Sequence, residues 1–168
     1  MILINIELKI LTEQDIPEFS KLVLEFNKTM NSYEEDHGET DYNSILNNEY
    51  ENFEDTYNVV AKIAGQIVGF ISFTYEEDFV ERNTTSYSIL RIFVIPQFRG
   101  LKIGELLIKH VIDHSNYNNI DYLSSFAFSN NIGANKFFLS NGFYRYGKDG
   151  FCRNIKQEKT NREQQKKV

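Results

Sequence analysis

The sequence predicts an α/β (α+β) class domain on a mixed sheet, spanning residues 1–155, with a polar basic tail over residues 156–168. Runs of β-branched and aromatic residues alternating with polar ones interleave with runs of three- and four-residue apolar spacing along the chain. That is the pattern of strands and helices sharing one core. Between Ile92 and Ile112 a strand leads through a glycine-bearing turn directly into an amphipathic helix. The length, 168 residues, suits one domain, and the 41% apolar fraction is enough to fill its core.

Each element follows from its residues. Residues 3–10 alternate β-branched and polar positions and read as a strand, after which Thr12, an acidic pair and Pro17 mark a helix start. Ile16, Phe19, Leu22, Val23 and Phe26 recur at helical spacing and predict a helix over residues 16–30 with one buried stripe. The following stretch is rich in acid, Asn and Tyr, and the spacing of Tyr42, Ile45, Leu46 and Tyr50 predicts a second, less apolar helix. Residues 57–64 and 66–75 flank the turn Ala64-Gly65 and read as a hairpin. Residues 86–95 form a strand stopped by Pro96, which cannot donate to a ladder. Ile103, Leu106, Leu107 and Val111 then give a helix to about Ser115, followed by an aromatic-rich strand over residues 122–128. Residues 132–140 predict a short helix closed by Asn141-Gly142. Residues 143–146 and 151–155 are the last strands, around the turn 147–150.

Composition excludes several functions. A net charge of −6 counts against a nucleic-acid binder, whose affinity rests on a basic face. From Lys156 onward the chain carries five Lys/Arg against two Glu, a net of +3, which leaves −9 on the body and reads as a solvated, disordered tail. No apolar run has bilayer length, and the apolar start meets Glu7 and Lys9, so it reads as a strand and not as a signal peptide. The lone Cys152 has no partner for an internal disulfide, which places the expected residence in a reducing cytoplasm. It reads as a packing residue. His110 and His114 stand four apart on a predicted helix without a ligand-rich partner segment, so they read as surface histidines and no metal is expected.

The chemistry lies in IFVIPQFRGLKIGELLIKHVI. First-turn amides of a helix lack intrahelical acceptors and sit at the positive end of its dipole, so a phosphate placed there is hydrogen-bonded and charge-stabilised together. Gly100 and Gly104 let it come close. The segment fits neither GxGxxG nor GxxxxGK[ST]. With Val94, Pro96, Arg99, Gly100 and Gly104 it resembles the acetyl-CoA motif of the GCN5-related N-acetyltransferases (GNAT), with Lys102 where that motif has its central glycine. A second landmark of the same family is matched at Asn131, Ala134, Phe137, Phe138, Gly142 and Phe143.

The resemblance implies a mostly antiparallel mixed sheet of about six to seven strands flanked by about four helices, with acetyl-CoA as co-substrate. It implies that the turn residues Arg99, Gly100, Leu101, Lys102, Ile103 and Gly104 cradle the pyrophosphate. Main-chain groups of Ile92, Phe93 and Val94 would hold the pantetheine arm, the Phe93 or Val94 amide would polarise the thioester carbonyl, and Asn131 would touch the coenzyme. It further implies a small-molecule or peptide amine as acceptor, with neither nucleic acid nor membrane as partner.

The catalytic side chains are the gap. The family's tyrosine acid falls at Phe138, and the acids that many relatives carry on strands four and five fall at Leu90, Arg91 and Phe126. Tyr144 and Tyr146 are substitute acids, and Glu34 and Glu35, with Asp36 and His37, lie in the segment that borders the acceptor in the resembling fold. Those acids, with Glu39 and Asp41, favour a cationic amine. The alternative is a coenzyme-binding sensor with little or no turnover. Exposed strands near the C-terminus make a homodimer reasonable.

Overall fold

The structure, a computed structural model, describes residues 4–33 and 41–166. Its elements run β1 (Glu7–Ile10), α1 (Ile16–Asn31), α2 (Tyr42–Glu51), β2 (Tyr57–Ile63), β3 (Gln66–Glu77), β4 (Thr85–Val94), α3 (Ile103–Tyr117), β5 (Tyr122–Phe126), α4 (Ile132–Ser140), β6 (Tyr144–Tyr146), β7 (Gly150–Asn154) and α5 (Ile155–Gln165). The seven strands form one sheet in the order β1-β2-β3-β4-β5-β7-β6. β4 and β5 are parallel, while β1 with β2, β5 with β7 and β6 with β7 are antiparallel. The α+β class and the mostly antiparallel sheet expected from the sequence are those observed, with seven strands for the about six to seven expected and five helices among the described residues for the about four expected.

Local chemistry explains the joints. Ala64 and Gly65 both take positive φ, 50° and 83°, which matches the right-handed twist of a two-residue hairpin. Asp15 accepts from the Thr12 hydroxyl at 2.8 Å and closes the 3₁₀ turn that leads into α1, where Pro17 occupies the first turn. Asp41 caps α2 by accepting the Ser44 amide at 2.9 Å. Gly142, at φ 80°, ends α4 in the left-handed conformation.

Two expectations are corrected. Among the described residues the first strand begins at Glu7 and leaves out residues 4–6, because pairing with β2 stops at Glu7 with Lys62. The tail expected to be disordered is helix α5 as far as Gln165. Asn154 caps it by accepting the Gln157 amide at 2.8 Å, Ile155 is buried, and Glu158 takes two 2.9 Å hydrogen bonds from Arg153. The polar composition that read as disorder is also one of good helix formers, and these anchors decide between the two.

The chain divides into two compact units, Met1–Ser72 with Arg91–Leu107, and Phe73–Leu90 with Ile108–Val168. The core of the first joins Ile16, Phe19, Leu22 and Val23 of α1 to Ile45 of α2, Val60 of β2, Ile67 and Phe70 of β3 and Phe93 of β4. Its centre is the edge-to-face pair Phe19–Phe70, with ring centroids 4.8 Å apart. In the second, Phe138 of α4 stacks on Phe151 of β7 and meets Phe143 edge-on, at 5.2 and 5.3 Å. His114 of α3 lies against Tyr87 and Phe73, so it is a packing residue of this core more than a surface histidine.

Candidate active site

The strand, turn and helix singled out in the sequence belong to the first unit. β4 ends at Val94, the Ile95 amide donates to the Val68 carbonyl at 2.9 Å, and residues 96–98 make a 3₁₀ turn. Gly100 and Lys102 then take φ of +83° and +61°. This alternation brings the chain back to start α3, whose first i to i−4 bond runs from the Leu106 amide to the Lys102 carbonyl at 3.0 Å. The amides of Ile103, Gly104 and Glu105 precede that bond and have no intrahelical acceptor. A Cβ built on Gly100 would meet nothing within 4 Å, so the residue is required for its backbone conformation, and the space above it is open. Arg99 donates Nε to the Val94 carbonyl at 3.0 Å and sets its guanidinium 5.8 Å from the Phe93 ring centroid. An exposed arginine, an exposed lysine and unpaired helix amides around an open glycine are the donor set that a diphosphate needs.

Lys102 departs from the family motif for a readable reason. Its position is left-handed, a region that costs a non-glycine residue about 1–2 kcal/mol. The glycine usual there is explained by φ, and lysine keeps the same backbone at that cost while adding a charge.

Beneath the turn sits a residue that the sequence reading missed. A Cβ on Gly69 of β3 would lie 2.9 Å from the Phe93 carbonyl oxygen, 3.2 Å from Val94 Cγ2 and 3.3 Å from Ile103 Cγ2. The strand carrying the expected oxyanion donors is thus seated directly on a glycine. A glycine inside an otherwise apolar strand was the available signal.

The positions expected to carry acids are filled otherwise. Arg91 is clamped bidentately by Glu49 of α2, at 2.6 and 3.1 Å, and lies 5.6 and 5.8 Å from the rings of Phe19 and Phe70. Glu49 is only 7% exposed, so its carboxylate is held by this pair. It falls four residues after Ile45 on the buried stripe of α2, a phase visible in the sequence. Phe138 is core, and Leu90 and Phe126 are half exposed.

In the second unit Asn131 caps α4 by accepting the Ala134 amide at 3.1 Å. Asn135, unremarked in the sequence, donates Nδ2 to the carbonyls of Phe128 and Asn131, each at 2.7 Å, and so fixes the loop that carries Asn131. Across the sheet Ser88, Ser124, Cys152 and Tyr144 are register neighbours. Ser88 and Ser124 join their hydroxyls at 2.7 Å, and Ser88 donates to Glu76 Oε2 at 2.9 Å. Burial, together with its hydrogen bond to Cys152, raises the Tyr144 phenol pKa, and burial raises that of the Cys152 thiol. The Tyr146 hydroxyl donates to the Val80 carbonyl at 3.3 Å.

The loop between β3 and β4 is tethered to β5 and β6 through Tyr122 and Tyr146. Asp78 and Asn83 take positive φ of 55° and 60°, the Asp78 amide donates to the Thr84 carbonyl at 3.0 Å, and Asp78 Oδ1 accepts the Asn83 amide. Tyr122 donates its hydroxyl to Glu81 at 2.8 Å; that bond, with burial, pushes the phenol pKa up to about 12. Glu34, Glu35, Asp36 and His37 lie outside the described residues. Among the described residues no His, Cys, Asp and Glu side chains group into a metal site, and no helix is long and apolar enough to cross a membrane.

The seven-stranded sheet of this order, with a glycine-bearing left-handed turn where β4 passes into α3, is a fold that comparison with known proteins places in a family. The chain belongs to the acetyltransferase (GNAT) family, whose model matches residues 22–143. Solved structures agree on the fold. A GNAT-family acetyltransferase from Staphylococcus aureus is 22% identical, with a TM-score of 0.71 over 90% of this chain and 100% of that one. PaiA N-acetyltransferase from Thermoplasma acidophilum, solved with coenzyme A, is 18% identical, with a TM-score of 0.69 over 89% of this chain and 99% of that one. YhbS from Escherichia coli, also solved with coenzyme A, is 13% identical, with a TM-score of 0.66 over 94% and 86% of the two chains. No curated protein sequence matches the chain.

Proposed function

We propose that residues 1–155 form one acetyltransferase domain that uses acetyl-CoA as co-substrate and transfers the acetyl group to a primary amine by direct attack. The observation that carries this reading is the left-handed pair Gly100 and Lys102 at the head of α3. In this reading residues 99–104 hold the pyrophosphate, main-chain groups of Ile92, Phe93 and Val94 hold the pantetheine arm, and Asn131 lies along it. A backbone amide of Phe93 or Val94 is the donor to the thioester oxygen, a contribution of about 3 kcal/mol per donor in comparable sites. When bound, acetyl-CoA supplies the activated acyl group. Family membership and the coenzyme A complexes of PaiA and YhbS support it.

The acceptor reading is a cationic amine, from the acidic run of the sequence between Tyr33 and Asp41. The lone, buried Cys152 supports a reading of cytoplasmic residence. The edge position of β6, whose tyrosines are half exposed, supports the reading of a homodimer through the C-terminal strands. A coenzyme-binding sensor is the second reading, because Phe138 is packed into the core where the family's acid falls.

Isothermal titration with acetyl-CoA tests the first reading. Wild type binds saturably, and Gly100→Glu, which sets a side chain and a negative charge in a left-handed cradle, loses at least a hundredfold in affinity. Absence of wild-type binding at high micromolar ligand sinks it. Binding with no amine-dependent thiol release across an amine panel leaves the sensor.

A further inference from the structure

A buried ion pair is weak evidence for stability, because taking two charges out of water offsets much of their attraction, and an apolar pair of similar volume serves a core as well. The pair of Glu49 and Arg91 lies within the first unit, with the two side chains 7% and 18% exposed. The Arg91 guanidinium donates to the two Glu49 oxygens at 2.6 and 3.1 Å and lies over the rings of Phe19 and Phe70. Two parallel bonds between planar groups leave little freedom to slide or twist. The contact is thus better suited to fixing a position than to adding stability.

What it fixes is the end of β4. The ladder of β4 with β5 closes at Ile89 opposite Ser125, and residues 90–94 run on beyond that last pair. An open strand edge offers main-chain donors and acceptors to a ligand, and its place then depends on its side chains and on the strand along its other edge. Phe93 packs on Phe70 of β3 and Phe26 of α1, with ring centroids 6.2 and 6.3 Å away, and the Ile95 amide donates to the Val68 carbonyl at 2.9 Å. These contacts tie the strand end to β3 and α1. Arg91 ties it to α2, whose buried residues are Ile45 and Glu49. Arg91 directly precedes Ile92, Phe93 and Val94, the main chain read above as holder of the pantetheine arm and donor to the thioester oxygen.

We propose that Glu49 is a positioning residue of the acetyl transfer, acting through Arg91 to set where the main chain of Ile92, Phe93 and Val94 lies; the proposal rests on the acetyltransferase reading above. The turn at residues 99–104 takes its shape from the left-handed pair Gly100 and Lys102. Loss of Glu49 therefore shifts the arm site and spares the diphosphate site. A displacement of about 1 Å at such a site costs up to roughly a hundredfold in rate.

The test compares acetyl-CoA with 3′-phospho-ADP, the nucleotide half of the coenzyme, which carries the diphosphate and lacks the arm. Isothermal titration with each ligand, thermal melting, and kcat and KM with the best amine of a panel are measured in wild type, Glu49→Gln and the double variant Glu49→Leu/Arg91→Met. In both variants the affinity for 3′-phospho-ADP stays within about twofold of wild type, while acetyl-CoA affinity and kcat each fall about tenfold. Glu49→Gln lowers Tm, because it leaves the guanidinium without its counter-charge. The double variant replaces the pair by apolar side chains and melts at or above wild type, so its losses do not come from unfolding. Equal loss of both ligands in Glu49→Gln, or wild-type acetyl-CoA affinity and kcat in the double variant, overturns the positioning role alone. A wild type that binds neither ligand, or that binds acetyl-CoA and releases no thiol with any amine, overturns the acetyltransferase reading and the positioning role with it.

Discussion

The turn at the head of α3 and the serine row on β4 and β5 are built from opposite materials. In the first unit the cradle is main chain, set by φ at Gly100 and Lys102 and seated on the bare backbone of Gly69. In the second the row is side chain, set by a strand register that aligns Ser88, Ser124, Cys152 and Tyr144. A backbone site depends on a few residues that lack a Cβ or tolerate a left-handed conformation. A side-chain site depends on which strand lies next to which. The first is therefore sensitive to the addition of single atoms, and the second to the removal of single hydroxyls or charges.

Adding one methyl at Gly69 is the sharpest way to break that contrast. Gly69→Ala puts a carbon 2.9 Å from a backbone oxygen that cannot swing aside, so about 2 kcal/mol of stability is lost as β3 and β4 separate. Because the displaced oxygen belongs to Phe93, affinity for acetyl-CoA falls as well. Chemical denaturation and calorimetry read both, and an unchanged midpoint would show that the seat is not tight.

Lys102→Gly goes the other way. Relief of the left-handed strain stabilises the fold by about 1 kcal/mol, a rise of roughly 2–4 °C in Tm for a chain of this size. Acetyl-CoA affinity falls slightly, and its salt dependence flattens as one cation leaves the cradle. A lower Tm in the glycine variant would mean that the lysine side chain, and not the backbone, holds the turn.

The smallest effect is in pH. Burial, aided by repulsion from His110, lowers the His114 pKa below 6.5. The depressed value means that stability is complete above about pH 6.5 and is lost as pH falls through the folded pKa. Asp15 and Asp121 are also lowered: burial opposes their charge, but hydrogen bonds from Lys62 and Thr12, and from Thr85 and Lys156, outweigh it. Their contribution is lost in a second step below the ordinary value of 3.8. A Tm series against pH therefore falls in two steps, and His114→Gln removes only the upper one. Persistence of both steps in that variant would assign the upper one elsewhere.

The same contrast explains what could be read from the chain. Apolar periodicity located α1, α3 and α4 almost to the residue, because each buries a stripe. Glycine and proline located the cradle, because φ restricts which residues stand there. The Glu76, Ser88 and Ser124 row was invisible. Its members are 36 residues apart from β4 to β5 and ordinary in type, and nothing in the sequence states that β5 would lie beside β4 in that register. Gly69 and Glu49 left weaker traces, a glycine inside a strand and a carboxylate in the apolar phase of a helix. α5 was misread because composition cannot distinguish a solvated coil from a polar helix pinned by Ile155 and Arg153.

The loop from Asp78 to Thr84 is closed by its own two ends. One of its two tethers is the Val80 carbonyl, which any residue at that position would offer to Tyr146. The side chains of Phe79, Val80 and Arg82 are thereby released from the task of holding the hairpin together, while that of Glu81 is kept as the acceptor of Tyr122. Such a segment is a natural graft point: new sequences can be tried there by selection or by a designer, each presented on the same hairpin, while β3 and β4 stay joined.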